Sequence, residues 1–573
     1  MFESLLGSLP VCLGLLGVVI PALILFIRKV YPKPYPGIPY NEASRNRMTG
    51  DLPDLITTAK AKNEFSESIF QVTTQKLGVP IAQLLFPAAL RKPMIVLEDA
   101  REIEDILVRR NKEFDKAPMA LDIFGPMFPM GTIGQYTTPE LRAQKRLWAD
   151  VMATDFLRKV GAPNIHKSTL ELVELWKLKA ETINQEEPLN VHDDFKCATL
   201  DAVWVAVVGE EPGTVRYEIK KFQNQLDGNK DFNETPPIGS FLKEQVQYVS
   251  DTIAKNSNAP SPKLAQMMET YTPRYRKFRS IVGGEMKRAI QRAMERYQGV
   301  ELGDLEKDSA DTCAMHLVLR RQILQARKDG VEPTNPTADA RILDEMFVML
   351  VGGHDSTANT LAWFVRFMEA WPAVQAELRA ILKAAFPGPS LPSASEILDA
   401  DLPYLDATVE EAFRLSGTVK ANLRQALVDT EILGCRIPKG AEIFMNYHIN
   451  RAQAPVDESK RSESSRAAVE KKGDGFKGPA GRDLGDFVPR RWLVKGEDRK
   501  ETFNAYALPS LALGGGYRGC FGRKLAMMEM RIMVVLLILT FEFSELPDKF
   551  KPMSSTEKIF RQPDFPVAKL KVL

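Results

Sequence analysis

The amino-acid sequence predicts a mainly α-helical protein with small β-sheets, preceded by one membrane-spanning helix at the N-terminus. Three observations carry that expectation. Apolar residues recur at helical spacing over long stretches. Strand-like runs are few and short: Pro93-Met-Ile-Val-Leu97, Ala426-Leu-Val428, and Glu442-Ile-Phe-Met445 after the Pro-Lys-Gly turn at Pro438. No charged residue falls between Ser4 and Ile27, a run dominated by Leu, Val, Ile and Gly.

A bilayer core takes about 20 helical residues, so that run is long enough to span. A cleaved signal has a shorter apolar core preceded by positive charge. Here Glu3 precedes the run, and Arg28 and Lys29 follow it. Residues 1–29 are therefore expected to be a retained anchor, with the N-terminus in the lumen and the remainder cytosolic. Pro10 and Pro21 are tolerated within a membrane helix. Residues 30–40 contain Tyr31-Pro-Lys-Pro-Tyr-Pro-Gly-Ile-Pro39. Proline fixes its own backbone and disfavours helix before it, so this segment reads as a stiff, extended spacer.

Residues 41–573 read as one large, mostly helical domain. His166 to Glu181 sets Leu172, Leu175, Trp176 and Leu178 among Glu171, Glu174, Lys177 and Lys179. Glu285 to Tyr297 is a basic amphipathic stretch expected to be a solvated helix. Arg341 to Trp371 is apolar almost all round, so it should be buried. Thr408 to Leu415 and Arg523 to Phe541 are also expected to be helical, with the uncharged run Ile532 to Thr540 too short to span a bilayer. Residues 456–483 are poor in apolar residues and read as a flexible surface insertion. Asp227 to Pro237 and Asn256 to Pro262 are turn-rich and read as mobile loops.

Composition narrows the function classes. The chain has 573 residues, and 44% hydrophobic content excludes a disordered protein. Spanning runs do not recur, which excludes a polytopic transporter. Balanced charge, 76 Lys+Arg against 74 Asp+Glu, argues against a bulk nucleic-acid binder, and no nucleic-acid partner is expected. Five Cys in no paired spacing exclude a disulfide scaffold and a Cys-x-x-Cys zinc site, and suit a reducing compartment.

The chemistry gathers at Leu513-Gly-Gly-Gly-Tyr-Arg-Gly-Cys-Phe-Gly522. A glycine-rich loop lets backbone approach something flat or bulky. Cys520 precedes a helix N-terminus, where the dipole and amide donors favour a thiolate, and Arg518 adds positive charge. A thiolate on haem iron promotes O–O cleavage. From the residues alone, a buried Cys acting as a small hydrophobe stays open. A phosphate-cradling loop is weaker, because the Walker Lys-Ser/Thr and the acidic residue of a dinucleotide site are missing.

This loop resembles the haem-binding signature F-x-x-G-x-R-x-C-x-G of cytochrome P450 monooxygenases. Gly516, Arg518, Cys520 and Gly522 match, and Leu513 stands where Phe is usual. Glu411-Ala-Phe-Arg414 resembles the family's E-x-x-R, and Phe487-Val-Pro-Arg-Arg491-Trp492 its F-x-P-x-R-W. Gly352-Gly-His-Asp-Ser-Thr357 resembles the oxygen-activation motif A/G-G-x-D/E-T-T. Leu141-Arg-Ala-Gln-Lys145 resembles W-x-x-x-R/K with Leu in place of Trp. The matches look most like microsomal members from filamentous fungi.

The resemblance implies a cytochrome P450 fold holding haem b (iron protoporphyrin IX), with Cys520 as the axial ligand of the iron. Lys145, Arg424 and Arg518 would meet the haem propionates. Glu411, Arg414 and Arg491 would form a buried structural ion triad. Asp355 would supply protons through water, with Ser356 as the partnering alcohol. His354, at the variable position, either contacts substrate or packs. Phe124, Phe128, Phe347, Leu350 and Val419 fall in substrate-lining segments, the first two within a lid over 117–133.

The implied reaction inserts one atom of O2 into a lipophilic small molecule, terpenoid or polyketide-like, in secondary metabolism. Electrons would come from NADPH through an NADPH–cytochrome reductase docking on basic residues such as Arg142, Arg146, Arg490, Arg523 and Lys524. The location implied is the endoplasmic reticulum membrane, single-pass. Two rivals remain at this point. One is an isomerase, dehydratase or peroxide-driven enzyme of the same fold. The other is a non-enzymatic, membrane-tethered haem-binding protein.

Overall fold

The computed structural model describes residues 30–182, 187–228, 232–297, 311–473, 484–496 and 500–573. The expected anchor, 1–29, lies outside them, as does the end of the expected insertion, 474–483. Among the described residues no helix is long and apolar enough to cross a membrane. The chain divides into two compact units, 1–115 with 421–446 and 452–482, and 116–420 with 447–451 and 483–573.

In the first unit, Ile81–Leu84, Met94–Leu97, Glu442–Asn446 and Ala421–Ala426 lie side by side in a mixed sheet. Met94–Leu97 runs parallel to Glu442–Asn446, with Ile95 opposite Ile443, and the other neighbouring pairs are antiparallel. All four residues of Ile81–Leu84 and of Met94–Leu97 are buried, which fits their short apolar runs. The proline segment turns at Pro36–Gly37 and is tied to this sheet. Gln83 accepts from the Tyr35 amide (2.8 Å) and donates to the carbonyls of Tyr35 (2.9 Å) and Ile38 (2.8 Å).

The expected flexible insertion holds ordered structure in its described part. Glu463–Lys472 is a helix capped by Ser462, with Ser465 and Ala468 buried. Charged partners far away in sequence hold it. Arg461 makes a bidentate pair with buried Asp99 (2.6 and 2.9 Å), Arg101 pairs with Glu458 (2.8 Å), and Lys472 with Glu104 (2.8 Å).

The second unit is helical around one small sheet, in which Val567–Val572 lies between Phe541–Ser544 and Leu189–Asn190. Its principal helices are α1 (Pro139–Leu147), α2 (Ala162–Thr182), α3 (His192–Val208), α4 (Ile238–Ser257), α5 (Pro273–Glu295), α6 (Ala340–Ala370), α7 (Pro403–Ser416) and α8 (Arg523–Thr540). Trp176 of α2 packs on Phe195 of α3 (5.1 Å) and Phe541 of the sheet (5.7 Å). Burying an aromatic side chain of this size contributes about 1.5–3 kcal/mol. Helix α3 lies along α6, and a Cβ on Gly353 would fall 3.1 Å from Val203, so glycine there sets the closeness of the two helices. Helix α5 extends well before Glu285 and is amphipathic: it buries Phe278, Val282, Met286, Ala289 and Ile290 while Lys287, Arg288, Gln291 and Arg292 face solvent. The uncharged run in α8 is buried throughout Ile532–Ile538.

Candidate active site

The cysteine loop is built on left-handed glycines. Gly514 and Gly516 both have φ +63°, a conformation that a side chain strains. Those turns fold the loop back so that the Cys520 amide donates to the Leu513 carbonyl at 2.8 Å. The interaction uses Leu513 backbone, so replacing the usual Phe leaves it intact. Helix α8 starts just beyond, with Gly522 as its N-cap. Solvent reaches Cys520 although protein crowds around it. Burial pushes its thiol pKa up, against the Gly522 amide, Arg523 and Lys145, which favour the thiolate.

Two cations are gathered beside this loop. Lys145 donates to the Tyr517 carbonyl (2.7 Å) and sits over the Tyr517 ring (4.4 Å). Its pKa is lowered by burial and then by the like charge of Arg518. Arg518 donates to the carbonyls of Thr132 and Gln135, each at 3.1 Å. The same strand of loop is pinned from α6: buried Glu345 accepts from the Thr132 amide and hydroxyl (2.8 Å each) and from Gln144 (3.3 Å). The lid segment 117–133 is therefore tethered by buried carboxylates rather than loose.

The acid–alcohol motif lies mid-way along α6. Gly352 is exposed inside this otherwise buried helix, and a Cβ there would meet nothing within 4 Å. The Ser356 hydroxyl donates to the Gly352 carbonyl at 2.6 Å. Asp355 is buried and takes hydrogen bonds from Ser250 and Asn359 (3.2 Å each). Two residues on, Thr357 lies close enough to Glu529 of α8 to oppose the rise that burial imposes on its pKa, which connects this motif to the helix that follows Cys520.

The three residues expected as an ion triad meet. Glu411 is fully buried and accepts a bidentate pair from Arg414 (2.6 and 2.7 Å), and Arg491 reaches it at 3.0 Å. The Val488 amide (2.9 Å) and the Trp492 indole (2.8 Å) complete its shell. Arg414 spends further donors on the carbonyls of Leu484 (2.9 Å) and Asp486 (3.2 Å). Helix α7 ends at Gly417 (φ +53°), where a Cβ would fall 2.5 Å from the buried His448 ring, so only glycine fits this cap.

A family model for Cytochrome P450 matches residues 88–452 and 485–568. The chain belongs to the cytochrome P450 family. It is 31% identical over 561 residues to the cytochrome P450 monooxygenase GME11363 of Pestalotiopsis microspora, covering 94% of this chain and 95% of that one. It is 29% identical over 576 residues to the cytochrome P450 monooxygenase TRI13 of Fusarium sporotrichioides, with 95% and 96% covered. A crystal structure of a cytochrome P450 (CYP102L1) superposes with a TM-score of 0.64 at 18% identity, covering 94% of this chain and all of that one. The protein is thus a P450 monooxygenase, an oxidoreductase of a family whose cofactor is haem.

The residues present fit such a group. The donor set is one solvent-reached sulfur with a dipole behind it and two cations beside it. That suits a soft-ligated metal in a flat dianion. The bare glycine of α6 leaves open space over the helix where a side chain would intrude. Arg424 belongs to the first unit, where its guanidinium donates to Asn422 and to the Leu423 carbonyl, both at 3.0 Å.

Several of the expected substrate contacts are buried. Phe347 is 1% exposed, packed between Phe128 (5.2 Å) and Phe278 (5.0 Å), and Leu350 is also buried. His354 is buried too, with Nδ1 on the Leu350 carbonyl at 3.0 Å, and burial lowers its pKa. Phe124 and Val419 are half-buried. Of the basic docking candidates, Arg142, Arg146 and Lys524 are exposed, whereas Arg490 is paired with Glu501 (3.1 Å) and with Glu377.

Sequence reading missed Glu345 and Glu529. Glu529 had a signal: it is a carboxylate set among methionines at the start of a long apolar run. It is fully buried, and burial pushes its pKa up to about 8.

Proposed function

We propose that this chain is a membrane-anchored haem-thiolate monooxygenase of secondary metabolism, acting on a lipophilic terpenoid or polyketide-like molecule. The observation that carries it is the Cys520 loop, with its left-handed glycines, a sulfur reached by solvent, and Lys145 and Arg518 alongside. Haem b bound through Cys520 supplies the redox chemistry that activates O2. Lys145 and Arg518 are assigned to its propionates. Asp355 donates protons and Ser356, bonded to the Gly352 carbonyl, holds the groove through which water carries them. One oxygen atom enters a C–H bond of the substrate as hydroxyl. The other leaves as water, with two electrons from NADPH and two protons balancing the reaction.

Anchoring in the endoplasmic reticulum membrane is supported by the uncharged run from Ser4 to Ile27 with Arg28 and Lys29 behind it. An NADPH–cytochrome reductase is assigned as the electron donor, supported by exposed Arg142, Arg146 and Lys524. The retained acid and alcohol favour oxygen insertion over isomerase, dehydratase or peroxide-driven chemistry, and the intact Cys520 speaks against a non-enzymatic role. Incubating membranes that carry this chain and a reductase with isotopically labelled O2 tests the reading. Product with one labelled oxygen, formed only with NADPH, is expected. Turnover independent of NADPH or O2 would refute it.

A further inference from the structure

Glu345 is a carboxylate of α6 that is only 4% exposed. Its Oε2 accepts from the Thr132 amide (2.8 Å) and from Gln144 of α1 (3.3 Å), and its Oε1 from the Thr132 hydroxyl (2.8 Å). The carbonyl of the same Thr132 accepts from Arg518 (3.1 Å). One lid residue therefore joins Glu345 to a cation of the cysteine loop. The chain on either side is fixed as well. Asp344 accepts from the Met130 amide and from Arg279 of α5 (3.0 Å each), and Lys116 donates to the Ile133 carbonyl across the neck of the lid. A Cβ on Gly131 would fall 2.9 Å from Val348 Cγ2, so the lid backbone lies directly on α6.

Hydrogen bonding alone does not call for a charge at position 345. A side-chain amide there could accept from the Thr132 amide and from Gln144 through its oxygen, and donate to the Thr132 hydroxyl through its nitrogen. It would also avoid the cost of burying a charge. The cations nearby account for the carboxylate. Burial pushes the Glu345 pKa up, and the Thr132 bonds, then the charges of Lys145 and Arg518, pull against that rise. Glu345 in turn supports the charge on Lys145 against burial and the like charge of Arg518.

We propose that Glu345 is a positioning residue for the cofactor: it holds Lys145 and Arg518 as a preformed cationic cradle and ties the lid to that cradle through Thr132. This rests on the assignment of those two cations to the haem propionates. The charge of Glu345 then bears on how readily the bound iron takes up an electron, since a nearby negative charge disfavours reduction. Its hydrogen bonds bear on the lid. Substitution separates the two effects: Gln removes the charge and keeps the shape, whereas Ala removes both.

The test uses the full-length holoprotein. Its readouts are the reduction potential of the bound iron and the exchange of backbone amides over 130–135. In Glu345→Gln the potential is expected to rise while Thr132 exchanges at close to the wild-type rate. In Glu345→Ala the potential is expected to rise and Thr132 exchange to quicken by about one to two decades, the scale of a lost hydrogen bond to a charged group. Glu345→Asp, which keeps the charge, should leave the potential nearer to wild type than Gln does. Asp344→Asn removes the neighbouring charge, which pairs with Arg279, and should move the potential less than Glu345→Gln. An unchanged potential in Glu345→Gln, or an equal shift in Asp344→Asn, would overturn the proposal. Unchanged Thr132 exchange in Glu345→Ala would do the same, and the isosteric Gln variant decides if the Ala variant does not fold. A wild-type protein without the thiolate-type carbonyl spectrum would instead refute the haem reading, while exchange at Thr132 would still report on the Glu345 clamp.

Discussion

Glu529 shows how one carboxyl can be read for its chemistry once its surroundings are known. It is buried on α8 close to Thr357, and burial carries its pKa from 4.5 up to about 8. The folded protein therefore keeps a proton that the unfolded chain releases. The stabilising contribution is complete below pH 4.5 and is lost as pH rises through about 8. Glu529→Gln is expected to flatten the fall in stability across that window and to raise stability at its upper end. Denaturant midpoints of both proteins at a series of pH values check this. His354 illustrates the opposite limit of sequence reading. The motif placed it correctly on the helix, but which side of α6 it faces depends on α3, and no local pattern contains that information.

Among elements, α2, α6 and α8 were legible because their apolar positions are dense enough to override any other period. The strand Ala421–Ala426 was not. Its Asn422, Arg424 and Gln425 look like loop residues, and they are extended only because Glu442–Asn446 pairs with them. The helix Glu463–Lys472 was hidden for a similar reason, since Lys472, and Arg461 just before the helix, look solvated until Glu104 and Asp99 are brought up from elsewhere in the chain. The α7 ion network was legible as a motif, though the Trp492 indole on Glu411 was not. Because Glu411 is fully buried, removing its bidentate partner strands a charge. Arg414→Leu is expected to cost about 3–5 kcal/mol, read from chemical denaturation of the purified protein. A loss below about 1 kcal/mol, the scale of an exposed pair, would contradict a buried network.

At the scale of the whole molecule, the proline segment joins the expected anchor to the first unit by being fastened, through Gln83, to its sheet. Deleting residues 1–29 leaves those contacts in place. The truncated protein is expected to fold and to move from the membrane fraction toward the soluble one, checked by fractionation beside the full chain. Everything assigned to catalysis converges on the sulfur of Cys520. The most direct measurement is the carbonyl difference spectrum of the reduced protein, compared between the wild type and Cys520→Ala. The wild type should give the band of a thiolate-ligated haem and the variant should lose it. An identical band in both would contradict Cys520 as the ligand.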